Sequence, residues 1–357
     1  MTSSSPAGRT ALDNVRVFDG RTLSEPTTIV IDGPVLGTDD TGAQRIDAAG
    51  AFLLPGFIDA HVHINDAESP GRFTPFGVTT ALDMASDPDV VASLRNTLGT
   101  TDIRSAGMAI VGPEGMHSTF LPEPAVIRTL DQAEPMVAQR HSTGSDYIKL
   151  VLEAPGEGGP DPAAAKAVVA EARARDLLVI AHAASVGAYE LAIDLGVDFI
   201  THVPVGYPLP QHDIDRIAAE SRVVVPTLTM MEGMAAARGV PQAFDAALAN
   251  VTALHAAGVP ILAGTDSNAS PGVPVNPPFG ESLHYELELL VRAGLSPLEA
   301  LNAATALPAR HFNLTDRGAI TPGLRADLVL LEANPLDDIT ATRRIRQVWS
   351  AGIPVPH

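Results

Sequence analysis

Short apolar runs alternate with longer amphipathic segments through most of the chain. Eight of these runs have the length and aliphatic content of buried β-strands. They span residues 53–60, 78–84, 106–111, 146–152, 178–182, 198–202, 223–227 and 260–266. The segments between them are rich in Ala, Leu, Glu and Arg at helical spacing, as in 161–175, 186–195 and 244–257. The pattern predicts an α/β fold with parallel strands and helices outside them.

Eight strand–helix units favour a closed (β/α)8 TIM barrel over an open doubly wound sheet, and we assign residues 53–317 to it. The two ends of the chain have a different pattern, in which short strands are joined by polar turns and by Gly or Pro. We predict that residues 1–52 and 318–357 together form one small β-sandwich subdomain.

Composition narrows the possible classes of protein. A hydrophobic fraction of 45% indicates a globular chain with a large core, and no apolar run approaches the ~18 residues that span a bilayer. The formal net charge of −19 argues against nucleic acid or an anionic membrane as a partner. The absence of cysteine excludes disulfides and thiolate ligands and fits a cytoplasmic protein.

Ionisable residues recur where the predicted strands end. The first strand leads into His61 and His63, whose i and i+2 spacing places both imidazoles on one face of a strand. The fourth strand contains Lys149, and the fifth, sixth and eighth end at His182, His202 and Asp266. Because catalytic groups of a barrel lie at the C-terminal ends of its strands, this set predicts a metal site.

Each of these residues also has a structural interpretation when taken alone. His182 or His202 could be a hydrogen-bonded core histidine, and Asp266 could cap a turn. A lysine in the apolar run around Lys149 could reach the barrel rim or pair with Glu153. Alternatively, its neutral amine could add carbon dioxide and become an anionic carbamate ligand. The residues themselves leave these two possibilities for Lys149 equal.

Several motifs resemble the amidohydrolase superfamily, in particular its imidazolonepropionase-like and Xaa-Pro dipeptidase-like branch. The resemblance covers nearly the whole chain. It rests on Pro55-Gly56-Phe57-Ile58-Asp59-Ala60-His61-Val62-His63, Gly264-Thr265-Asp266-Ser267, Leu295-Ser296-Pro297-Leu298-Glu299-Ala300-Leu301, Ala303-Ala304-Thr305 and Gly323-Leu324-Arg325-Ala326-Asp327-Leu328-Val329.

The resemblance implies two divalent metal ions, most simply Zn²⁺. His61, His63 and Asp266 would hold the first ion, His182 and His202 the second, and a carboxylated Lys149 would bridge them together with a hydroxide. All six positions of the pattern are filled. The expected reaction is hydrolysis of a carbon–nitrogen bond in a small amide-like substrate, with Asp266 as general base and then general acid. Resemblance to this branch also favours a homo-oligomer.

Two loop residues are candidates for substrate contact. His117 ends a Gly-rich loop after the third strand, and Tyr207 follows the sixth. His255, His284 and His311 fall in helical segments and are predicted to be structural, whereas Glu281 and Glu286 are predicted to be solvated or to cap helices.

Other reactions stay open at this point. We find no arginine at a strand end that could clamp a substrate carboxylate, which leaves room for esters, lactones or cyclic imides. A decarboxylase or a mononuclear deaminase is a further alternative. A scaffold that has lost its chemistry is disfavoured because no ligand of the pattern is missing.

Overall fold

The computed structural model describes residues 8–356. Its strands are β1 (Thr10–Val17), β2 (Thr27–Asp32), β3 (Val35–Gly37), β4 (Gln44–Asp47), β5 (Phe52–Pro55), β6 (Phe57–Val62), β7 (Val78–Asp83), β8 (Asp102–Ser105), β9 (Ile148–Val151), β10 (Val179–His182), β11 (Phe199–Thr201), β12 (Val223–Val225), β13 (Leu328–Leu331), β14 (Ile345–Ser350) and β15 (Ile353–Pro354).

The helices alternate with the strands in the central part of the chain. They are α1 (Ser69–Phe73), α2 (Pro88–Leu94), α3 (Ala133–Ser142), α4 (Pro162–Arg173), α5 (Val186–Leu195), α6 (Gln211–Ala219), α7 (Leu228–Ala237), α8 (Phe244–Ala256), α9 (Glu281–Arg292), α10 (Pro297–Ala303) and α11 (Ala306–His311). Among the described residues, no helix combines the length and the apolar character needed to cross a membrane.

Parallel strands form the centre of the molecule. One sheet has the order β6-β7-β8 and a second the order β9-β10-β11-β12, with every pair parallel. Isolated parallel bridges join Ile110 to Leu150, Val224 to Ile261 and Val62 to Ser267. Helices follow most of these strands, so the fold is an α/β fold of the TIM-barrel type, as the alternation of apolar runs predicts.

Strands from both chain ends build a separate sheet of eight strands. Its order is β15-β14-β13-β5-β1-β2-β3, and β4 also pairs with β1. Neighbouring residues of β5 face opposite ways: Leu53 packs into a core of the terminal strands, and Leu54 packs into the main core. In β13, Leu328 and Val329 divide in the same manner. Because alternate side chains of a strand point to opposite faces, β5 and β13 pack against both cores. They thereby attach the terminal sheet to the central unit.

The strand predicted over residues 53–60 is two strands in the structure. Gly56 separates β5, in the terminal sheet, from β6, in the central one. A Cβ at Gly56 would overlap the side chain of Thr79, so the close approach of the two sheets requires glycine here. The third strand also begins earlier than predicted, because β8 covers Asp102–Ser105 and the run 106–111 contributes only isolated bridges.

Helix positions follow the sequence pattern more closely. The predicted helix 186–195 coincides with α5, and α4 and α8 lie within the predicted 161–175 and 244–257. Ser185 caps the start of α5 by accepting from the amide of Ala188, and Gly196 ends it in the left-handed conformation. These signals are local, which explains why the sequence predicts them well.

For Glu286 the sequence predicts a solvated position or a helix cap, and the structure has the cap. It lies on α9 with no exposed surface and accepts hydrogen bonds from the amides of Leu228 and Thr229, at 2.9 and 2.7 Å, and from the Thr229 hydroxyl. It therefore caps a helix, but the helix is α7 rather than its own. Burial raises the pKa of Glu286 to about 7, against the lowering effect of these hydrogen bonds.

We expect Glu286→Ala to lower the free energy of unfolding by about 1–3 kcal/mol, because two amides at the start of α7 would lose their buried acceptor. Glu281→Ala, an exposed acidic position on the same helix, is the control and should cost less than about 1 kcal/mol. Denaturant unfolding at pH 7 measures both. Equal losses in the two variants would contradict the capping role.

Candidate metal centre

Asp266 stands at the centre of the group of imidazoles. Its Oδ1 lies 3.5 Å from Nε2 of His61 and 3.1 Å from Nε2 of His63, and its Oδ2 lies 3.8 Å from Nδ1 of His202. All of these residues are buried except His63, which is partly exposed. Ligand atoms of His61, His202 and Asp266 all fall within 4.8 Å of one another. This spacing allows one cation to contact all three.

The remaining predicted ligands lie beside this group. The ring centroid of His182 is 4.3 Å from that of His202. Lys149, on β9, is buried and donates from Nζ to Oγ1 of Thr201 at 2.9 Å. The structure thus brings together all six residues that the resemblance assigns to the metal site. It also removes one alternative for Lys149, because its partner is Thr201 and not Glu153.

The backbone is left-handed at three residues of the site region, two of which come shortly after β11 and β12. The φ angles are 75° at His202, 48° at Thr227 and 57° at Asp266. Non-glycine residues rarely adopt this conformation, and where they do the surrounding structure must hold them. Here the amide of His202 donates to Val225 and the amide of Asp266 donates to His61. The strain is therefore concentrated where the site residues turn inward.

Hydrogen bonds orient two of the imidazoles. Nδ1 of His63 lies 3.2 Å from the carbonyl oxygen of Ala85, which can only accept, so Nδ1 carries a proton. Nε2 faces Oδ1 of Asp266, to which it donates when the ring is protonated, and it is the nitrogen free for a metal when the ring is neutral. Nδ1 of His202 lies 2.8 Å from Oγ1 of Thr227. Such contacts fix the rings of metal-binding histidines.

Nδ1 of His61 is buried and has no hydrogen-bond partner within residues 8–356. An unpaired polar atom in a dry interior is costly, and a cation bound at that nitrogen would relieve this. The donor set is several imidazoles and one carboxylate, which suits a divalent transition metal such as zinc. The residues present therefore fit the metal that the sequence predicts.

Burial keeps most of the imidazoles neutral, as a metal ligand must be. It lowers the pKa of His61 and His182 well below the usual value, with the charges of neighbouring Lys149 and histidines adding to the effect. It lowers the pKa of His202 to about 3, although Asp266 opposes the shift.

His63 and Asp266 form a coupled pair within this group. Burial lowers the pKa of His63, but the hydrogen bond and charge of Asp266 more than offset it, and the net shift is upward. Burial likewise raises the pKa of Asp266, yet the hydrogen bond and charge of His63 bring it below its ordinary value. Asp266 is therefore a carboxylate at neutral pH.

Two buried aspartates support the ligands and do not follow from the motif spacing. Asp59, two residues before His61, accepts from the amide and hydroxyl of Thr265 and so ties β6 to the segment that contains Asp266. Burial raises its pKa to about 7. Asp83, at the end of β7, accepts from the amide of Ile64 and from the hydroxyls of Ser86 and Ser105. The position of Asp83 at the end of a predicted strand was the feature of the sequence that could have identified it as a residue near the site.

The two loop candidates occupy different environments. The ring of His117 lies 4.5 Å from the ring of His182 between centroids, so the loop after β8 reaches the site. Tyr207 is 70% exposed, and its carbonyl accepts from Nδ2 of Asn250 at 3.0 Å. Contact of either residue with substrate stays a prediction.

Comparison with known proteins agrees with this geometry. The model of the amidohydrolase family matches residues 52–355. An imidazolonepropionase from Salinispora arenicola (strain CNS-205) is 30% identical, over 87% of this chain and 86% of the relative. An adenine deaminase from Lysinibacillus sphaericus (strain C3-41) is 25% identical over 96% of this chain, which spans only 56% of that relative.

Solved structures show the same fold. A Xaa-Pro dipeptidase with bound methionine superimposes with a TM-score of 0.85 at 22% identity, covering 98% of this chain and all of the other. A putative prolidase from Bifidobacterium longum gives a TM-score of 0.83 at 25% identity, covering 99% of this chain and 96% of the other. The chain belongs to the amidohydrolase family. It is an enzyme of the class of metal-dependent hydrolases that act on carbon–nitrogen bonds.

We expect Thr227→Val to lower metal affinity by about 10- to 100-fold while the fold is retained, because His202 would lose the partner of its Nδ1. Valine has nearly the shape of threonine and the same β-branch, so the left-handed backbone at this position is no more strained. Thr321→Val, at an exposed threonine, is the control. Metal content after dialysis against graded chelator measures the effect, and equal retention by the two variants would contradict the orienting role.

Proposed function

We propose that the site holds two divalent metal ions, most simply Zn²⁺. His61, His63 and Asp266 would hold one ion, and His182 and His202 the other, with a carboxylated Lys149 between them. The observation that carries this proposal is the position of Asp266 within 3.1–3.8 Å of three imidazoles, at the same end of the fold as the buried Lys149.

Lys149 has the environment that carbamate formation needs. Burial lowers the pKa of Lys149 to about 7, with Asp266 and Asp83 opposing the shift, so a large share of the amine is neutral at physiological pH. The neutral amine adds to carbon dioxide, a nitrogen–carbon bond forms and one proton is released. The product is an anion with two oxygens in place of a cation that metal ions would repel.

When bound, a divalent ion polarises the scissile carbonyl and lowers the pKa of water from 15.7 to about 7. The side chains of the protein transfer the proton from the attacking water to the leaving group. Asp266, a carboxylate at neutral pH, accepts a proton from the attacking water and delivers it to the leaving nitrogen. His63, whose Nε2 lies 3.1 Å from Oδ1 of Asp266, would hold the same ion as Asp266 and so keep the carboxylate in place.

The proposed substrate is a small amide or peptide-like molecule. Support comes from the names of two relatives, an imidazolonepropionase and an adenine deaminase, and from the fold shared with a Xaa-Pro dipeptidase. His117 is proposed to contact this substrate because its ring lies against that of His182. Tyr207 would contact it only from the exposed rim.

A mass-spectrometric screen of zinc-loaded protein against N-acyl amino acids, dipeptides, lactams and lactones tests the proposal. We expect release of an amine that prior chelation abolishes. Asp266→Asn should stay folded and lose about 10²–10⁴-fold in turnover, since it removes the proton acceptor. Turnover of lactones alone would replace the amidase assignment by an esterase-type one, and near-full activity of Asp266→Asn would overturn the role of Asp266.

Carboxylation of Lys149 has a direct test, because the chain contains only one other lysine, the exposed Lys166. Zinc-loaded protein in ¹³C-bicarbonate should give a carbamate carbon signal that Lys149→Met abolishes and Lys166→Met retains. Lys149→Met should also bind less zinc than the native protein. A signal that survives in Lys149→Met, or that is absent from native protein, would contradict the bridging carbamate.

For the architecture, we infer that the two parallel sheets close into a single (β/α)8 barrel that lies within the predicted 53–317 and begins at β6. At one junction between the sheets, the bridge from Ile110 to Leu150 joins the segment after β8 to β9. At the other junction, Ile261 bridges to β12 and Ser267 bridges to β6. The amide of Ala60 also donates to Ala263. The segment 260–266 would then be the eighth strand.

We infer likewise that residues 1–52 and 318–357 form a β-sandwich subdomain, of which residues 1–7 and 357 lie outside the described part. Strand β1 supports this, because its first half pairs with β2 and β4 and its second half with β5, across a register shift. A homo-oligomer is proposed as well, on the strength of the resemblance to this branch. A cytoplasmic location stays a prediction from composition.

A further inference from the structure

Two glycine-rich loops interlock at the rim of the metal centre. One follows β8 (residues 112–117) and the other follows β9 (residues 153–160). A Cβ on Gly112 would overlap the backbone of Gly159, and the amide of Gly159 donates to Pro113 at 3.0 Å. Only glycine allows this approach, so each loop fixes the position of the other.

The side chain of Glu153, the first residue of the second loop, lies between the two loops. Cβ atoms placed on Gly115 or Gly159 would lie 3.2 Å from its Cγ, so the two glycines leave just enough room for the side chain. Its side chain is only 17% exposed, and its Oε1 lies 3.2 Å from Nδ1 of His117. The glycines thus present a nearly enclosed carboxylate to one edge of the His117 ring.

Aromatic contacts fix the rest of the His117 ring. Its centroid is 4.5 Å from that of His182 and 5.5 Å from that of Phe120, both with steep interplanar angles. Contacts on Nδ1 and with two neighbouring rings leave little freedom of rotation. The remaining nitrogen, Nε2, therefore has a defined direction beside a proposed metal ligand.

A carboxylate oxygen accepts hydrogen bonds, so the proton between Glu153 and His117 resides on Nδ1, and Nε2 is the ring nitrogen left for a substrate. We propose that Glu153 is a positioning residue that holds His117 in this tautomer, so that Nε2 accepts a hydrogen bond from an N–H or O–H of the substrate. The inference rests on the proposed function of the site. It assigns the preferred substrate a hydrogen-bond donor close to the scissile bond.

The tautomer can be measured without turnover. In zinc-loaded protein labelled with ¹⁵N-histidine, long-range proton–nitrogen spectra distinguish protonated from unprotonated ring nitrogens, and His117→Gln identifies the signal. We expect a protonated Nδ1 and an unprotonated Nε2 in native protein, and a shift of the proton towards Nε2 in Glu153→Ala. Glu157→Gln, at an exposed glutamate of the same loop, should leave the signal unchanged. A proton on Nε2 in native protein, or the native signal in Glu153→Ala, overturns the proposal.

Paired substrates test the consequence for specificity. For the best amide found, an analogue with its N–H replaced by N–CH₃ lacks the donor. Native protein should prefer the substrate with the N–H donor, as measured by kcat/KM. This preference should exceed that of Glu153→Ala by about tenfold, because one hydrogen bond has an effect of this size. Glu153→Gln, which retains an acceptor oxygen, should keep more of the preference than Glu153→Ala.

The tautomer measurement and the comparison of paired substrates distinguish failure of the proposed function from failure of the role of Glu153. Absence of amide turnover in the native protein would count against the proposed function while the tautomer measurement still decides the role of Glu153. Amide turnover with equal preference in native protein and Glu153→Ala would overturn the specificity role alone.

Discussion

The structure depends on the burial of one carboxylate among imidazoles. Asp266 lies in the interior with His61, His63 and His202 around it, and Lys149 is buried at the same end of the fold. Burying ionisable groups is costly unless each is paired or held by a metal. The pKa shifts express this balance: burial holds most imidazoles neutral, while His63 keeps Asp266 ionised. A cluster of this kind is stable only if the surrounding backbone places every member accurately.

Much of the polar interior serves that placement. Asp59 joins the strand of His61 to the segment of Asp266 through Thr265. Glu286 caps α7, the helix that begins directly after Thr227, and Thr227 in turn orients His202. The left-handed backbone at His202 and Asp266 is held by their amides, which donate to Val225 and His61. Rigid supports of this type let a site retain the geometry of its donors while the loops around it vary in sequence.

The residue pattern predicts the helices more closely than the strands. Caps and periodicity are local, so α5 has the predicted bounds. The first predicted strand fails at Gly56, because an apolar run does not reveal that its two halves belong to different sheets. Their different strand partners separate them, and Thr79 packs against the glycine between them. The third strand lies earlier than the apolar run 106–111, since that run owes its composition to burial between loops and core rather than to a regular ladder.

The sequence by itself determined the class of the protein, the alternation of strands and helices and the identity of the six candidate ligands, because residue type and spacing suffice for these. Tertiary structure decided which partner each buried group has. Lys149 bonds Thr201 and Glu153 bonds His117, although Lys149 and Glu153 are only four residues apart. Glu286 caps a helix 58 residues away rather than meeting solvent. Contacts between distant segments depend on how loops and sheets pack, and no local pattern encodes them.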